Sequence, residues 1–383
     1  MTRDELTYLR SADGLALLRA ARDVSGDSLK RQMVLRRDYP ADRVRSAVAL
    51  LDLRIHARSK FKHADVMFFD RDGLEQSSGD VIAEYRAKRY ASHDRVTDVC
   101  CGIGGDSVAL AHVASVTAVD IRSDRVQMTR ANLEVNGLTA SFACVDARDW
   151  QPKGEAFFVD PSRREGGRHV FNLKDYSPSL DELSWLTPDA AAGVKVAPGI
   201  PHQDIPDGYE AEFISVDRDC KEAVLWSGAL RSHDGVRATL LPGGDTLVGQ
   251  PVDAVGCRPV GAFVFEPDRA VIRAHLVEQV AHLIGAEKLA PDVAYLTSDH
   301  EAESPFVRGF RVDAAMPFSL KRVQGYIKAQ QIGRIDIKKR RFPMTADAVY
   351  GKLKLKGSAA TTLILTRVAD DPVAIFTTPI DTP

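Results

Sequence analysis

The sequence predicts an α/β protein in three parts: a helical N-terminal cap, a central parallel sheet, and a smaller C-terminal α/β domain. The first observation is helical apolar periodicity over residues 1–90. The second is an alternation of short β-branched segments with helical segments over 91–230. The third is a similar alternation over 290–383, after a connector at 231–289 that glycine and proline punctuate.

Residues 1–90 contain apolar residues at three- and four-residue spacing and no β-rich run, as in "ADRVRSAVALLDLRIHARSKF" and "SSGDVIAEYRAKRYA". Asp42 and Ser78 each precede such a segment, and we predict that they are N-caps. These helices are expected to form a packing and lid subdomain without a site of its own.

The central region predicts five strands, "RVTDV", "SVTAVD", "ASFACVD", "AFFVDP" and "AGVKVAP", with helices between them. A further pair, "EAEFISVD" and "EAVLWSGAL", is expected at the end of this sheet. Strands that alternate with helices predict right-handed crossovers and a parallel sheet. In such sheets, ligands bind beyond the carboxyl ends of the strands.

The C-terminal part begins with the hairpin-like segments "LLPGGDTLVG" and "VGCRPVGAFVFEPD". Strand patterns then follow in "VAYLTSD", "FVRGFRVDAAM", "RIDIKK", "ATTLILTRV" and "PVAIFTT". The helical segments "LKRVQGYIKAQQ" and "TADAVYGKLK" lie between them. This order predicts a small open sheet with helices on one face.

Several classes of protein are disfavoured. Five cysteines without a C-x-x-C pair argue against zinc ribbons and thioredoxin-type chemistry. The ten histidines form no H-x-H or H-E-x-x-H pattern, so no metal site is predicted. The charged N-terminus and the lack of an 18-residue apolar run predict a cytoplasmic protein without a membrane span.

A glycine-rich loop, "DVCCGIGGDSVAL" at Asp98–Leu110, follows the first predicted strand and precedes a helix. Gly102, Gly104 and Gly105 let the backbone approach a ligand closely and adopt positive φ. The helix N-terminus behind them can receive an anion, a carboxylate or a phosphate. The loop does not match the P-loop pattern G-x-x-x-x-G-K-[ST].

Two more carboxylates close the next strands. Asp120 ends strand two, where a carboxylate can accept hydrogen bonds from a ribose diol. Asp146 ends strand three, within reach of an adenine amino group. With Asp98, they indicate a nucleoside-containing ligand. A dinucleotide enzyme stays an alternative, although no second half-site for nicotinamide is evident.

The loop resembles motif I, D-x-x-C/G-G-x-G, of the class I S-adenosylmethionine-dependent methyltransferases. The run from "FFDRDGLEQSSGD" to "RANLEVNG" looks most similar to the trimethylguanosine synthase branch. Nearly the whole chain resembles bacterial class I methyltransferases with a C-terminal THUMP-like domain, through "VFEPDRAVIRA", "AYLTSD", "SPF" and "IGRIDIKKR". The resemblance implies a Rossmann-like methyltransferase sheet between the helical cap and the THUMP-like domain.

The same resemblance implies that the cofactor is S-adenosylmethionine. The loop would line its methionine end, Asp120 would hold the ribose, Ile121 would pack on the adenine, and Asp146 would meet the adenine amino group. Cys100 and Cys101 would then be packing residues and not ligands or nucleophiles. The implied cofactor-binding residues are Asp98, Cys100, Gly102, Gly104, Gly105, Asp120, Ile121 and Asp146.

The acceptor side is predicted at "FFVDPSRREGGRHVF", where methyltransferases that act on nitrogen often carry D/N-P-P-Y/F/W. Asp160 and Pro161 match that pattern, Ser162 replaces the second proline, and Arg163 replaces the aromatic that would stack on a base. We expect these four residues to be catalytic, with Asp160 positioning the target N–H and Arg163 holding substrate. Methylation of uridine carbon needs a cysteine near the end of strand five, where Lys195 stands instead.

An arginine-rich loop continues from this turn. Arg163, Arg164, Arg168 and His169 could hold a phosphate or carboxylate of the substrate. The alternative is a solvated loop that follows a strand.

A basic segment lies at 319–357. It carries eleven basic and two acidic residues, hence a net charge of +9, in a chain of net charge −2. Such asymmetry is typical of nucleic-acid binding, and Phe342 could stack on an unpaired base. The alternative is a basic face that docks on the acidic part of the same chain. The predicted RNA-binding residues are Lys321, Arg322, Lys338, Lys339, Arg340 and Arg341.

Together these features predict an S-adenosylmethionine-dependent methyltransferase that acts on a base nitrogen of tRNA or rRNA. One alternative acceptor is a protein or a small anionic metabolite. A methyltransferase-like RNA-binding protein without turnover is another alternative, and a nicotinamide-dependent oxidoreductase is a more distant one. The nucleotide, the methylated atom and the oligomeric state do not follow from the sequence.

Overall fold

A computed structural model of the protein describes residues 1–150, 152, 155–165, 168–169 and 172–380, without the side chains of 164, 165, 168 and 169. The chain forms two compact units. The first contains Met1–Ala211 and Glu222–Gly235, and the second contains Glu212–Lys221 and the chain from Val236 onward. The domain boundaries expected after residues 90, 230 and 289 stay predictions.

The N-terminal cap, residues 1–90, contains helices joined by turns and no strand. Thr2 and Glu5 form a capping box at the first helix, which accounts for its start. Asp42 and Ser78 are not N-caps as predicted, because Pro40 and Gly79 hold those positions. The α-helices are α1 (Arg3–Arg10), α2 (Ala12–Asp23), α3 (Ser28–Leu35), α4 (Ala41–Ala57), α5 (Arg71–Gln76) and α6 (Asp80–Ala87).

The central part of the first unit is the expected α/β sheet. Its parallel strands lie in the order β7-β4-β1-β2-β3, while β5 and β6 pair only with each other. The elements are β1 (Arg95–Val99), α7 (Gly105–Leu110), β2 (Ser115–Asp120), α8 (Ser123–Val135), β3 (Ser141–Cys144), β4 (Ala156–Val159), β5 (Arg164–Glu165), β6 (Arg168–His169) and β7 (Ala192–Val196).

Apolar packing joins the cap helices to this sheet domain. Leu17 of α2, Val48 of α4 and Phe69 share one core with Met128 and Ala131 of α8. Strands β4 and β7 are buried along their whole length, as expected for parallel strands covered on both faces. The helical region therefore packs on the sheet domain as predicted, while its role as a lid stays a prediction.

The chain leaves the first unit within β8 (Glu210–Val216) and returns to it within β9 (Asp219–Ser227). In the first unit, the end of β9 runs antiparallel to β7, with Ala223 opposite Val196. This adds an antiparallel strand to the parallel set.

The second unit contains a mixed sheet in the order β13-β14-β12-β15-β18-β17-β16, in which only the edge strand β16 runs parallel to its neighbour. Outside this sheet, β10 and β11 form the predicted hairpin, and β10 is also hydrogen-bonded to β8. The elements are β10 (Val236–Leu241), β11 (Asp245–Val248), β12 (Phe263–Pro267), α9 (Arg269–Arg273), α10 (Val277–Ile284), β13 (Glu287–Lys288), β14 (Leu296–Ser298), β15 (Val307–Pro317), α11 (Leu320–Ala329), β16 (Ile332–Lys339), α12 (Ala346–Tyr350), β17 (Ala359–Val368) and β18 (Asp371–Pro379).

Two apolar layers cover this sheet. Val323 and Ile327 of α11 and Val349 of α12 pack on one face. The other face packs against Leu289 and Tyr295. The hairpin expected at "VGCRPVGAFVFEPD" is wrong, because β12 lies inside the sheet between β14 and β15. Within the described residues, no helix combines the length and apolar character that a membrane crossing requires.

Candidate active site

A cavity of about 390 Å³ lies at the carboxyl edge of the first unit's sheet. Its walls come from the segments that follow β1, β2, β3 and β4, together with α5. This is the position where parallel α/β sheets bind ligands, and the volume is that of an ordinary small-molecule site. Ten of the twelve residues predicted for cofactor and catalysis line it: Cys100, Gly102, Gly105, Asp120, Ile121, Asp146, Asp160, Pro161, Ser162 and Arg163.

The glycine loop depends on its backbone conformation. Gly104 has φ +84°, and a Cβ there would lie 2.9 Å from Cγ2 of Thr129. Gly102 has φ +58°, and the Thr129 hydroxyl donates a 3.0 Å hydrogen bond to its carbonyl oxygen. Cys100 adopts φ +63° although it is not glycine. Helix α8 therefore holds the loop in a shape that a side chain at Gly104 would disturb.

Asp98 and Gly104 do not line the cavity. Asp98 is buried, and its Oδ2 accepts a hydrogen bond from the Ser107 hydroxyl. Its Oδ1 has no hydrogen-bond partner among the described residues. Burial, followed by the nearby Asp106 carboxylate, raises the pKa of Asp98 well above its usual value. Asp98 thus supports the loop from within the protein.

The two other strand-end carboxylates, Asp120 and Asp146, line the cavity, and their pKa values are shifted in opposite directions. Asp120 accepts backbone hydrogen bonds from Gly102 (3.1 Å) and Arg122 (2.9 Å), and its burial raises its pKa. Asp146 is chelated by the Arg148 guanidinium at 3.0 Å (Nε) and 2.6 Å (Nη2), which lowers the pKa of Asp146. Next to Asp120, the Ile121 side chain is 60% exposed. It therefore presents an apolar surface to a flat ligand.

Helix α5 forms a wall of the cavity that the motif analysis did not assign. Asp70 caps this helix by accepting a 2.7 Å hydrogen bond from the Gly73 N–H, and Arg125 contacts the same carboxylate at 2.9 Å. A Cβ at Gly73 would lie 2.3 Å from Cγ2 of Ile103. The helix therefore lies directly against the glycine loop. The capping pattern D-x-x-G in "DRDG" could have indicated this helix.

The predicted acceptor turn is anchored at both ends. The Asp160 N–H donates to the Val99 carbonyl (3.1 Å), and Ser162 and Ser177 exchange two backbone hydrogen bonds of 3.0 Å. Pro161 is buried, Arg163 is half-buried and Ser162 is exposed. The side chains of Arg164, Arg168 and His169, predicted to hold an anionic group, lie outside the described residues.

Lys195 is the ion-pair partner of Asp160. It lies in the buried strand β7 with 2% of its surface exposed. Its Nζ donates to Asp160 Oδ2 at 2.7 Å and to the Gln76 carbonyl of α5 at 3.3 Å. From the sequence alone, Lys195 indicated only that no cysteine stands at this position. A lysine in an otherwise apolar strand was the available signal, because a buried lysine requires a partner.

Below the cavity, buried charges form a network. Arg86 of α6 pairs with Asp106 and with Glu222, the latter at 2.5 Å, and its guanidinium lies 4.5 Å from the ring centre of Phe158. Burial raises the pKa of Asp106, which also lines the cavity. Arg86 and Lys195 thus face four carboxyl groups: Asp98, Asp106, Asp160 and Glu222.

Comparison with known proteins identifies the family. Residues 96–182 match the methyltransferase domain family, residues 307–379 match the THUMP domain-like family, and residues 2–57 match a domain of unknown function, DUF8688. A protein of Mycobacterium tuberculosis (strain H37Rv), described as an uncharacterized S-adenosylmethionine-dependent methyltransferase, is 34% identical over 307 residues. That match covers 78% of this chain and 84% of the relative. The chain belongs to the S-adenosylmethionine-dependent methyltransferases.

Two further relatives bear on fold and substrate. The crystal structure of a putative methyltransferase from Porphyromonas gingivalis W83 has a TM-score of 0.77 at 21% identity, covering 96% of this chain and 98% of that chain. This methyltransferase therefore shares its fold. A 23S rRNA (uracil(747)-C(5))-methyltransferase of Pyrococcus abyssi is 33% identical over 93 residues, 24% of this chain and 21% of that protein.

The cavity of this methyltransferase fits S-adenosylmethionine. The glycine loop brings backbone to the cavity surface, Asp120 offers a carboxylate at the end of β2, and Ile121 offers an exposed apolar side chain beside it. The carboxylates of Asp120 and Asp160 at the cavity can attract the positive charge of a sulfonium ligand. The contact that each residue makes with the cofactor stays a prediction.

The residues predicted to bind RNA lie in the second unit and differ in their surroundings. Lys338 and Arg340 both pair with Glu266, at 2.8 and 3.3 Å, and Arg341 pairs with Asp292 at 3.1 Å. Lys339 contacts the backbone carbonyl groups of residues 342 and 344. Lys321 and Arg322 are exposed on α11.

Phe342 does not have the exposed ring that base stacking requires. Its side chain is 6% exposed and meets the Phe318 ring edge-on, with ring centres 4.8 Å apart. The stacking expectation is therefore wrong. Among the described residues, no group of histidine, cysteine, aspartate and glutamate side chains has the arrangement of a metal site.

Proposed function

We propose that this methyltransferase transfers a methyl group to a base nitrogen in tRNA or rRNA. The observation that carries the proposal is the pair of Asp160 and Lys195 at the cavity, 2.7 Å apart, on the turn that follows β4. When bound, S-adenosylmethionine supplies a methyl group on a positively charged sulfur.

The chain's own part in catalysis is alignment. Lys195 holds Oδ2 of Asp160, which leaves Oδ1 to accept a hydrogen bond from the target N–H. That hydrogen bond directs the nitrogen lone pair toward the methyl group, and such orientation supplies much of the rate enhancement. Asp160 then accepts the proton that the methylated nitrogen releases. Ser177 keeps the turn in place through its two hydrogen bonds to Ser162.

Support for an RNA acceptor comes from the second unit. It contains the THUMP-like region and the segment of net charge +9. The Pyrococcus abyssi relative acts on 23S rRNA by its name, although it modifies carbon 5 of a uracil. Lys195 occupies the strand position where the cysteine-dependent route to that carbon places its nucleophile, which favours nitrogen as the target here. Membership of the trimethylguanosine synthase branch and a cytoplasmic location stay part of the proposal.

A small anionic metabolite is the second candidate acceptor. Arg163 lines the cavity at the position where nitrogen methyltransferases of this pattern carry an aromatic residue. A guanidinium there would hold a phosphate or carboxylate by paired hydrogen bonds. RNA is preferred because this candidate leaves the basic segment without a role.

The test is methyl transfer from labelled S-adenosylmethionine to small RNA taken from cells that lack the protein. We expect label to enter RNA with the native enzyme and to disappear after ribonuclease treatment. The Asp160→Ala enzyme should lose roughly 10²- to 10⁴-fold in rate. Calorimetry of cofactor binding provides the control for folding. Normal cofactor binding without label in RNA would reject the RNA acceptor, and label in a small-molecule extract would then favour the metabolite.

A further inference from the structure

Ten of the eleven basic residues of the segment 319–357 fall into two structural groups, and the eleventh, Arg334, is exposed on β16. Those around the end of β16 are engaged within the protein, since Lys338 and Arg340 share Glu266 and Arg341 contacts Asp292. A second group is exposed and has no ion-pair partner in the part of the chain that the structure describes. We call it the α11 basic surface: Lys321, Arg322, Lys328, Lys352, Lys354 and Lys356.

Hydrogen bonds unite this surface. On α11, Lys321, Gln324 and Lys328 are spaced by three and four residues, so they lie along one side of the helix. The Gln324 side chain accepts a 2.7 Å hydrogen bond from the Lys354 N–H and donates a 3.1 Å bond to the Lys354 carbonyl. These two hydrogen bonds hold Lys354, and with it the segment 352–356, beside α11. Lys321, Lys328 and Lys354 therefore lie on one surface, and Arg322, Lys352 and Lys356 are their near neighbours in sequence.

Gly325 lies within this surface and leaves the helix backbone accessible there. It lies inside α11, where glycine weakens a helix. It is exposed, its φ is not positive, and a Cβ built on it meets no atom within 4 Å. Neither backbone conformation nor packing accounts for a glycine at this position. The absent side chain lets a ligand approach the helix backbone between Arg322 and Lys328.

The engaged cations Lys338 and Arg340 are surrounded by aromatic rings and a carboxylate of the second unit. Lys338 lies 5.8 Å from the ring centre of Phe310, and the Arg340 guanidinium lies 5.3 Å from that of Tyr295. Both side chains are largely buried beside Glu266, a carboxylate that repels phosphate. If Lys338 and Arg340 turned to an external anion, the largely buried carboxylate of Glu266 would be left unpaired. These two residues are therefore poorly suited to bind an external anion.

We propose that the α11 basic surface binds the phosphodiester backbone of the RNA substrate, and that Lys338 and Arg340 stabilise the second unit instead. This inference rests on the proposed RNA acceptor and specifies where that RNA binds. Charge complementarity supports it, because six cations without an ion-pair partner among the described residues match a ligand with a regular row of negative charges. The exposed glycine suits a phosphate backbone that approaches the helix closely.

The experiment compares two full-length variants in RNA binding. The first is the triple variant Lys321→Gln, Lys328→Gln and Lys354→Gln. The single-charge control is Arg334→Gln, an exposed arginine of β16 on the sheet face opposite α11, since its neighbour Ile335 packs with the α11 layer. Affinity for small cellular RNA is measured by fluorescence anisotropy at salt concentrations from roughly 50 to 300 mM.

We expect the triple variant to bind RNA roughly 10- to 100-fold more weakly at about 100 mM salt, with a slope of log affinity against log salt that is smaller by about two to three. The control should change affinity less than about twofold. Thermal unfolding and cofactor binding should be unchanged in both variants.

Other outcomes separate the two proposals. If the triple variant binds RNA like the native enzyme, the α11 basic surface is wrong while the RNA acceptor stands. If the native enzyme binds no RNA, both proposals fail. If the native enzyme binds vesicles containing phosphatidylserine or an acidic protein through these lysines instead of RNA, the RNA assignment of the surface is overturned.

Discussion

The charged residues of the network below the cavity are buried and paired, whereas those of the α11 basic surface are exposed. In the first, Arg86 and Lys195 are buried and bonded to specific carboxylates. In the second, six cations are exposed without a described partner. Buried charges cost free energy unless they are paired, so their geometry is held by the fold. Exposed charges cost little and stay available for an external partner. The first arrangement suits chemistry on a positioned atom, and the second suits a long polyanion.

The largest expected effect comes from breaking the buried network. Arg86→Met should leave Asp106 and Glu222 without their cation and lower the free energy of unfolding by about 3–5 kcal/mol. Urea unfolding of the full chain measures this change. Arg95→Met, which removes an exposed pair with Glu155, is the control and should cost about 0–1 kcal/mol. Equal losses in the two variants would mean that burial does not distinguish these pairs.

Lys195→Met tests whether the ion pair at the cavity serves catalysis. We expect the rate of methyl transfer to fall about 100-fold, because Asp160 loses the group that holds its Oδ2. Cofactor affinity should stay within about threefold, since Lys195 does not line the cavity. Single-turnover assays and calorimetry give the two values. Partial recovery in Lys195→Arg would support positioning, whereas a loss of cofactor affinity equal to the loss of rate would contradict it.

Gly104→Ala tests the glycine loop. The new Cβ meets Thr129 at 2.9 Å and the residue must keep φ +84°, so we expect a cofactor affinity about 10-fold lower. The control is Gly137→Ala, which has φ +72° but open space around its Cβ. It should lower stability by about 1 kcal/mol and leave cofactor affinity unchanged. Equal cofactor affinities in the two variants would show that the loop tolerates the side chain.

The free energy of unfolding should depend on pH through Asp98, a buried carboxyl group of the network. Its pKa is raised in the folded protein, so it contributes stability that is fully present below the unfolded pKa of about 4 and is lost as pH rises through the folded value. Asp98→Asn removes this titration. The stability of the variant relative to the native protein should therefore increase with pH above about 4, by about 1.4 kcal/mol for each unit of pKa shift. Urea unfolding at several pH values would contradict this if the difference stayed constant.

The smallest expected effect concerns the engaged cations of the second unit. Glu266→Gln removes the partner of Lys338 and Arg340, and we expect a loss of stability of about 1 kcal/mol. RNA affinity should change less than about twofold, because the freed cations lie outside the α11 basic surface. A clear gain in RNA affinity would instead place these two residues at the RNA interface.

The sequence predicted much of the fold because its signals are local. Apolar periodicity located the helices of residues 1–90, and β-branched runs located the five strands of the first unit. Asp120, Asp146 and Asp160 were expected at one edge because parallel strands end on the same side, and all three line one cavity. The N-caps and the Phe342 stacking expectation failed because a single side chain's surroundings depend on packing from distant segments.

Contacts between residues far apart in the chain could not be predicted from the sequence. Lys195 lies 35 residues from Asp160 and 119 from Gln76, and Glu222 lies 136 residues from Arg86. Periodicity and spacing carry no information on such pairs. The unusual residue type was the available sign, since lysine in a buried strand and arginine on an apolar helix face each require a partner.

The sequence by itself determined the class of the fold, the glycine loop with its strand-end carboxylates, and the sum of charge in each segment. These features follow from the composition and from the order of neighbouring residues in the chain, and folding changes neither. Only the tertiary structure decided which cations form ion pairs with other described residues, because pairing depends on distances of a few ångströms between residues remote in sequence. It thereby divided one basic segment into Lys338 and Arg340, which are engaged with Glu266, and the α11 basic surface, which is open to a partner.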